Sequence, residues 1–150
     1  MSDLALTFKN GLIDLDFGDD MNLVDDGLRT AVILSLFCDR RADDTDILPD
    51  GEDRRGWWGD IYPSVDGDRI GSRLWLNDRA KQLASVLRRD EKFGKEALAW
   101  MIEDGVAKDV TVTAENPGPG IRAIHVSITK PSGAVVEFKF NDYWEAEHAL

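Results

Sequence analysis

Cysteine, histidine and long apolar runs are scarce in this sequence of 150 residues, and each shortage excludes a class of protein. One cysteine, Cys38, cannot form an internal disulfide, and with only two distant histidines, His125 and His148, it cannot complete a zinc site. The first ten residues contain neither a basic segment nor a long apolar run, so we expect no signal peptide. No stretch is long and apolar enough to predict a membrane span. These shortages predict a protein that folds in a cytosol and has no membrane partner.

Basic residues are outnumbered, since 18 Lys and Arg stand against 29 Asp and Glu and give a formal net charge of -11. A field of that sign repels phosphate backbones, so we expect no nucleic-acid partner. The same charge would attract a basic protein surface, or would simply keep the chain in solution. Apolar residues make up 43% of the chain, as in ordinary globular proteins. We therefore predict a single domain over residues 1–150.

Strand patterns occupy both ends of the chain. Apolar residues alternate with polar ones over 4–8 and 13–17, on either side of Asn10-Gly11, a dipeptide that suits the type I′ turn of a hairpin. The last third predicts an antiparallel meander with one buried face, because three alternating runs are separated by turn residues: 110–114, 124–128 and 136–140. The final residues, 141–150, are interpreted as a tail.

Two helices are predicted between these strands. The run 28–38 is apolar almost all round, which favours a buried helix, with a buried strand as the alternative. Acids just before it would cap its start. A second helix is predicted over 86–104, with Ser85 as its N-cap and Gly105 just past its end. The order of hairpin, helix, loop, helix and meander predicts an α+β domain with its helices laid on one sheet.

A long loop at 49–76, PDGEDRRGWWGDIYPSVDGDRIGSRLWL, lies between the two helices. It is too rich in Gly, Pro and Asp to be one regular element and too aromatic to be a free linker. We predict an ordered loop that Trp57 and Trp75 anchor in the domain, with Arg54 and Arg55 pointing outward. Arg, Trp and Tyr are enriched at binding hot spots. The candidate protein-interaction residues are Arg54, Arg55, Trp58, Asp60, Arg69 and Arg73. An alternative of equal weight is that acids pair with these arginines inside the chain: Asp39, Asp53, Asp60 and Asp68.

Catalytic and metal-binding patterns are weak. Loops starting at Asp46 and Asp66 each lack essential calcium ligands, and neither a nucleophile elbow nor a phosphate-binding glycine loop is present. Cys38 with His125 is the one conceivable Cys/His pair, and packing explains this cysteine better. Asp60, beside two aromatic residues, is the best guess for a glycosidase-type carboxyl, although a solvated or arginine-paired acid is favoured. We therefore predict no enzyme activity, no metal and no cofactor.

Four segments carry a family resemblance: DDGLRTAVILSLFCDRRA, LPDGEDRRGWWGD, GDRIGSRLWL and EALAWMIEDGVA. In this order they resemble the tail baseplate protein family of Mu-type contractile phages, over about residues 15–140. This family is distantly similar to the lysozyme-like or sheath-initiator wedge proteins of contractile-tail baseplates. Members of that wider group carry a Glu-Pro-Arg triplet after the first helix. Here Gly51-Glu52-Asp53-Arg54 occupies the comparable place without reproducing the triplet.

The resemblance implies a non-enzymatic structural role in the virion tail, after assembly in the host cytoplasm. Such a protein, present in several copies, would join other baseplate wedge proteins around the tail tube and hub and help initiate the sheath. Contact with the sheath protein would add a strand to an open sheet edge, at residues 4–8 or 135–140. The alternatives are a virion-associated cell-wall glycan hydrolase and an acidic cytosolic adaptor protein.

Overall fold

The computed structural model of this protein describes residues 6–9, 12–15, 27–49 and 51–145. An antiparallel hairpin forms near the N-terminus, as predicted, with Leu6 opposite Leu15; the turn dipeptide Asn10-Gly11 lies outside the described residues. Two helices and a C-terminal three-stranded sheet follow, which confirms the α+β class. The elements are β1 (Leu6–Lys9), β2 (Leu12–Leu15), α1 (Leu28–Phe37), α2 (Ala84–Glu103), β3 (Asp109–Gly118), β4 (Ile121–Thr129) and β5 (Val135–Glu145).

Helix α1 is a helix and not the alternative buried strand, and it lies in the core. Its buried residues are spread around the helix and include Val32, Ile33 and Leu36, none more than 1% exposed. The predicted acidic cap is wrong, because the cap position belongs to Gly27, whose φ of 84° is left-handed. A helix buried in this way depends on its packing and not on its caps.

Helix α2 begins at Ala84, so the predicted N-cap Ser85 is wrong and Leu83 takes that position without a side-chain cap. Its end agrees with prediction, since Gly105 has the positive φ of 73° that terminates helices. Gly94 has a packing role, because a Cβ there would lie 2.8 Å from Val112 Cγ1. The glycine therefore lets α2 approach β3 closely.

The C-terminal sheet has the order β3-β4-β5 and is antiparallel throughout. Val112, Val126 and Phe138 are aligned across it on the face that packs against the helices. Thr113, His125 and Lys139 are aligned on the opposite, polar face. The meander is thus confirmed with one buried face, but β5 extends through Glu145, so residues 141–145 are strand and not tail.

A buried polar cluster, which the sequence analysis missed, joins the end of the long loop to α2, β4 and β5. The Asp90 carboxylate, which is 0% exposed, accepts hydrogen bonds from Asn77 Nδ2 at 2.6 Å, from Arg122 Nη1 at 2.7 Å and from the Tyr143 hydroxyl. Arg122 Nη2 also donates to the Asn77 carbonyl at 2.8 Å. Burial raises the pKa of Asp90, against the opposing effect of the Arg122 charge. Burial likewise raises the pKa of Tyr143, so its hydroxyl remains a donor.

Candidate interaction surface on the long loop

The first part of the long loop is tied to the segment that follows α1. Ala42 N–H donates to the Arg54 carbonyl at 2.9 Å, and the Arg54 guanidinium donates to the carbonyls of Asp43 and Asp44. Arg55 Nη1 lies 2.9 Å from Asp39 Oδ2. Both guanidinium groups therefore bind groups of their own chain at the surface, where the Arg55 side chain is still 35% exposed. The pair formed by Arg55 and Asp39 is one that the alternative of internal pairing predicted.

The last part of the loop is a buried clamp on the end of α1. Ser72 N–H donates to the Cys38 carbonyl and Arg40 N–H to the Ser72 carbonyl, each at 2.9 Å. Gly71 has φ 88°, and a Cβ there would lie 2.3 Å from Cys38 O, so only glycine fits. Trp75 is 5% exposed and its indole N–H donates to the Arg40 carbonyl at 2.8 Å, which places it as expected.

Arg73 links the loop to α2. Its side chain is 12% exposed and binds Asp46 at 3.0 Å and Glu96 at 2.6 Å, with its guanidinium 4.8 Å from the centre of the Phe93 ring. The hydrogen bond to Glu96 raises the pKa of Arg73, which favours the protonated guanidinium. Arg69 is more exposed and lies 3.8 Å from Asp43. Arg73 is thus an internal strut among the candidate interaction residues.

Between these two fixed parts the loop presents apolar side chains to solvent. We call the following residues the crest, with their exposed fractions: Trp57 52%, Trp58 74%, Ile61 71%, Tyr62 83% and Val65 66%. Trp57 is therefore not the predicted anchor. The Trp57 ring lies against Gly59, where an added Cβ would come within 2.2 Å of the ring. The centres of the Trp57 and Trp58 rings are 5.5 Å apart. The ring packs on its own loop and not in the core.

A groove of about 580 Å³ separates the crest from helices α1 and α2. Its helical side includes Leu34 and Trp100, and Trp100 Nε1 donates to Ser35 Oγ at 3.1 Å, which joins the two helices there. Trp57 and Tyr62 of the crest form the other side. The groove is therefore mostly apolar in its walls.

Acidic groups line the same groove. Asp60 Oδ1 accepts the Ile70 N–H at 3.3 Å, while Asp60 Oδ2 is shielded from solvent and has no hydrogen-bond partner among the described residues. Asp68 and Asp104 also line it and are exposed. An unpartnered, shielded carboxylate oxygen costs about 1–3 kcal/mol. Asp60 thus contributes an incompletely paired carboxylate to the lining of the groove.

Cys38 and His125, the other residues considered for chemistry, are not among the residues that line the groove. Burial raises the pKa of the Cys38 thiol, and the neighbouring Asp39 raises it further, so the thiol stays protonated. His125 Nε2 lies 3.9 Å from Glu137 on the polar face of the sheet. Within the described ranges, no three His, Cys, Asp or Glu side chains are grouped as metal ligands.

No helix in the part of the chain described is long and apolar enough to cross a membrane.

The structure therefore separates the predicted interaction residues. Trp58, Asp60 and Arg69 lie on the crest or at the groove, whereas Arg54, Arg55 and Arg73 serve internal contacts. Sequence reasoning missed the rest of the crest, at Ile61, Tyr62 and Val65. Their signal was present, because these residues are spaced among Gly, Pro, Ser and Asp without any helical or strand period that could bury them.

Comparison with known proteins places the chain in a family. The model of a family described as phage protein GP46 matches residues 28–135. A relative from Escherichia phage Mu, named baseplate protein gp46, is 46% identical over 93% of this chain and 95% of its own length. A relative from Haemophilus influenzae, named Mu-like prophage FluMu protein gp46, is 42% identical over 96% of this chain and 98% of its own length. The resemblance to Mu-type baseplate proteins is confirmed, and this chain belongs to the phage GP46 protein family.

Proposed function

We propose that this chain is a non-enzymatic structural component of the baseplate of a contractile phage tail. It would be present in several copies in the virion and join neighbouring wedge proteins around the tail tube and hub. The relative from phage Mu that carries the name baseplate protein supports this role, because it aligns over nearly the whole length of both chains.

The exposed crest is the observation that carries the proposal. Its five large apolar side chains, each more than half exposed, are contributed by one loop and adjoin an apolar groove. Large apolar side chains exposed together on one loop, among polar residues, are typical of protein–protein contact sites. The clamp at Gly71 and Trp75 fixes the loop from beneath, which lowers the entropy lost when a partner binds.

A role in starting the sheath is part of the proposal and depends on the sheet. Strand β5 lies at one edge of the sheet order β3-β4-β5, so one side of its backbone has no ladder hydrogen bonds among the described strands. Strand β1 lies near β5, so the added strand would have to displace or pass beside the hairpin. Glu137 and Lys139 on β5 are exposed, as expected for an edge guarded by charge. A strand of the sheath protein would add to this edge through main-chain hydrogen bonds.

The decisive experiment locates the chain in the particle. We expect cryo-EM of intact tails to show its density in the baseplate, and we expect phages lacking the gene to make no sheathed tails. A plasmid copy should restore them. If cells express the protein but the tails purified from them lack it, the proposal is contradicted. The alternative function as a cytosolic adaptor protein would then be favoured.

The glycan hydrolase alternative has a separate test. Two of the three acids that line the groove, Asp68 and Asp104, are exposed, so neither lies in the apolar setting of a glycosidase acid. We expect no release of muropeptides from purified peptidoglycan. Release that disappears in a folded Asp60→Asn variant would establish the hydrolase instead.

A further inference from the structure

We propose that the groove beneath the crest binds an apolar segment of a neighbouring tail protein that carries a lysine or arginine, and that this basic side chain pairs with Asp60. The identity of the partner as a tail protein rests on the proposed function. The chemistry of the segment is inferred from the groove itself.

The apolar character of the bound segment is inferred from the residues that form the walls of the groove. Trp57 and Tyr62 face the groove from the crest, and Leu34, Ala97 and Trp100 face it from the helices. Aromatic side chains at the margins of a pocket provide large contact area at low conformational cost. Aliphatic or aromatic side chains between these walls would cover surface that is now in water.

The basic part follows from charge. Three acids line the groove, Asp60, Asp68 and Asp104, against one cation, Arg69. Arg69 already lies 3.8 Å from Asp43. The groove is therefore acidic as well as apolar, and Asp60 contributes a carboxylate oxygen without a donor among the described residues. A guanidinium or ammonium group in the groove would pair with the Asp60 carboxylate, and charge-assisted hydrogen bonds are about twice as strong as neutral ones.

The same charges argue against a second copy of this chain as the occupant. Each chain has a formal net charge of -11, so two copies repel each other over the whole surface. A partner with a basic segment is drawn toward the groove by the same field, which raises the association rate at low salt.

Photocrosslinking in assembled tails tests the proposal directly. Tyr62, a groove residue that is 83% exposed, is replaced by p-benzoylphenylalanine in phage complemented from a plasmid. Val135, 58% exposed on β5, takes the same replacement as control. We expect the probe at position 62 to link to a segment of another tail protein that contains Lys or Arg among apolar residues, and the control to give a different product.

A charge variant then tests the pairing. Asp60→Asn should lower incorporation into tails by about tenfold or more at limiting expression, because the partner's cation is left desolvated without its anion. Asp66→Asn is the matched control, since Asp66 is an exposed acid of the same loop that does not line the groove. It should incorporate normally, and neither variant should melt below the unsubstituted protein, since Asp60→Asn removes a charge that is incompletely paired.

The other possible results overturn either this inference or the proposed function. Crosslinks to an acidic segment or to a second copy of this chain overturn the inference, as does normal incorporation of Asp60→Asn. All three leave the baseplate role intact, because the protein is still found in tails. Absence of the unsubstituted protein from tails overturns the proposed function instead.

Discussion

Trp57 and Trp75 belong to the same loop but lie in opposite environments, 52% and 5% exposed. We expect Trp75→Ala to lower the free energy of unfolding by about 3–5 kcal/mol, because it empties a packed site and removes the bond to the Arg40 carbonyl. Trp57→Ala should change it by less than about 1 kcal/mol, since its ring stays in contact with water. Urea unfolding followed by circular dichroism measures both. Equal losses would mean that Trp57 anchors the loop after all.

Asp90 and Arg122 give a prediction that depends on pH. Arg122→Met removes the charge that holds down the pKa of Asp90, which burial already raises from 3.8. Leaving a buried carboxylate without its cation costs about 3–5 kcal/mol when it is ionised. When it is protonated most of that cost disappears.

The sign of this effect follows from linkage. A carboxyl whose pKa is higher in the folded state than in the unfolded state stabilises the fold below the unfolded value and loses that contribution as pH rises through the folded value. We therefore expect the stability deficit of Arg122→Met relative to the unsubstituted protein to be larger at pH 8 than at pH 5. Chemical unfolding at both values measures it. A deficit that grows on acidification would contradict this account of Asp90.

At the scale of elements, two glycines distinguish the cost of a left-handed backbone from the cost of a steric clash. Gly67 and Gly71 both have positive φ, 78° and 88°, but a Cβ at Gly67 meets nothing within 4 Å, whereas at Gly71 it meets the Cys38 carbonyl. We expect Gly67→Ala to cost about 1 kcal/mol, from φ alone. Gly71→Ala should cost about 2–4 kcal/mol, because the clamp on α1 must also shift. Thermal unfolding of the two variants compares them, and similar melting temperatures would show that the clamp yields freely.

The sheet edge gives a second prediction at this scale. If the sheath protein adds a strand to β5, amide hydrogens over 135–140 should exchange more slowly in the complex than in the free chain. Amides of the central strand β4, already paired on both sides, are the internal control. Hydrogen exchange by mass spectrometry reads both strands together. Unchanged exchange over 135–140 and over 4–8 would exclude both proposed edges.

Elements with a clear hydrophobic periodicity were predictable from the sequence. Boundaries and strands that depend on tertiary contacts were not. Alternation located the meander, and the stripe that includes Phe93 and Ala97 located α2. The start of α2 was misplaced because the expected hydroxyl cap makes no bond and packing decides the boundary. Tyr143 was assigned to a tail because its binding to Asp90 depends on an element far away in sequence.

The candidate site shows the same limit at the scale of the whole molecule. Composition located the loop correctly, since only there do Arg, Trp and Asp concentrate. Composition did not predict which arginines would form ion pairs within the chain. Asp46 and Glu96 are distant from Arg73 in the sequence and contact it only in the folded protein. Arg55 and Arg73 pair with acids of the chain, as one of the two predicted alternatives had it, while Trp57 is exposed where an anchor was expected.

Metal independence is expected of the molecule as a whole. The two candidate calcium loops, starting at Asp46 and Asp66, lack essential ligands, and Asp46 is bound to Arg73. Melting curves with chelator and with added calcium or zinc should coincide. A rise of several degrees with micromolar metal would reveal specific binding to the native state and contradict this expectation.

The crest has a consequence for the protein before it is assembled. A chain that exposes five large apolar side chains is prone to self-association while it waits for its partner. The formal charge of -11 opposes this, because copies that approach repel one another over distances of about 8 Å at physiological ionic strength. The acidity of the chain thus gives colloidal stability to a free subunit whose crest is exposed to solvent.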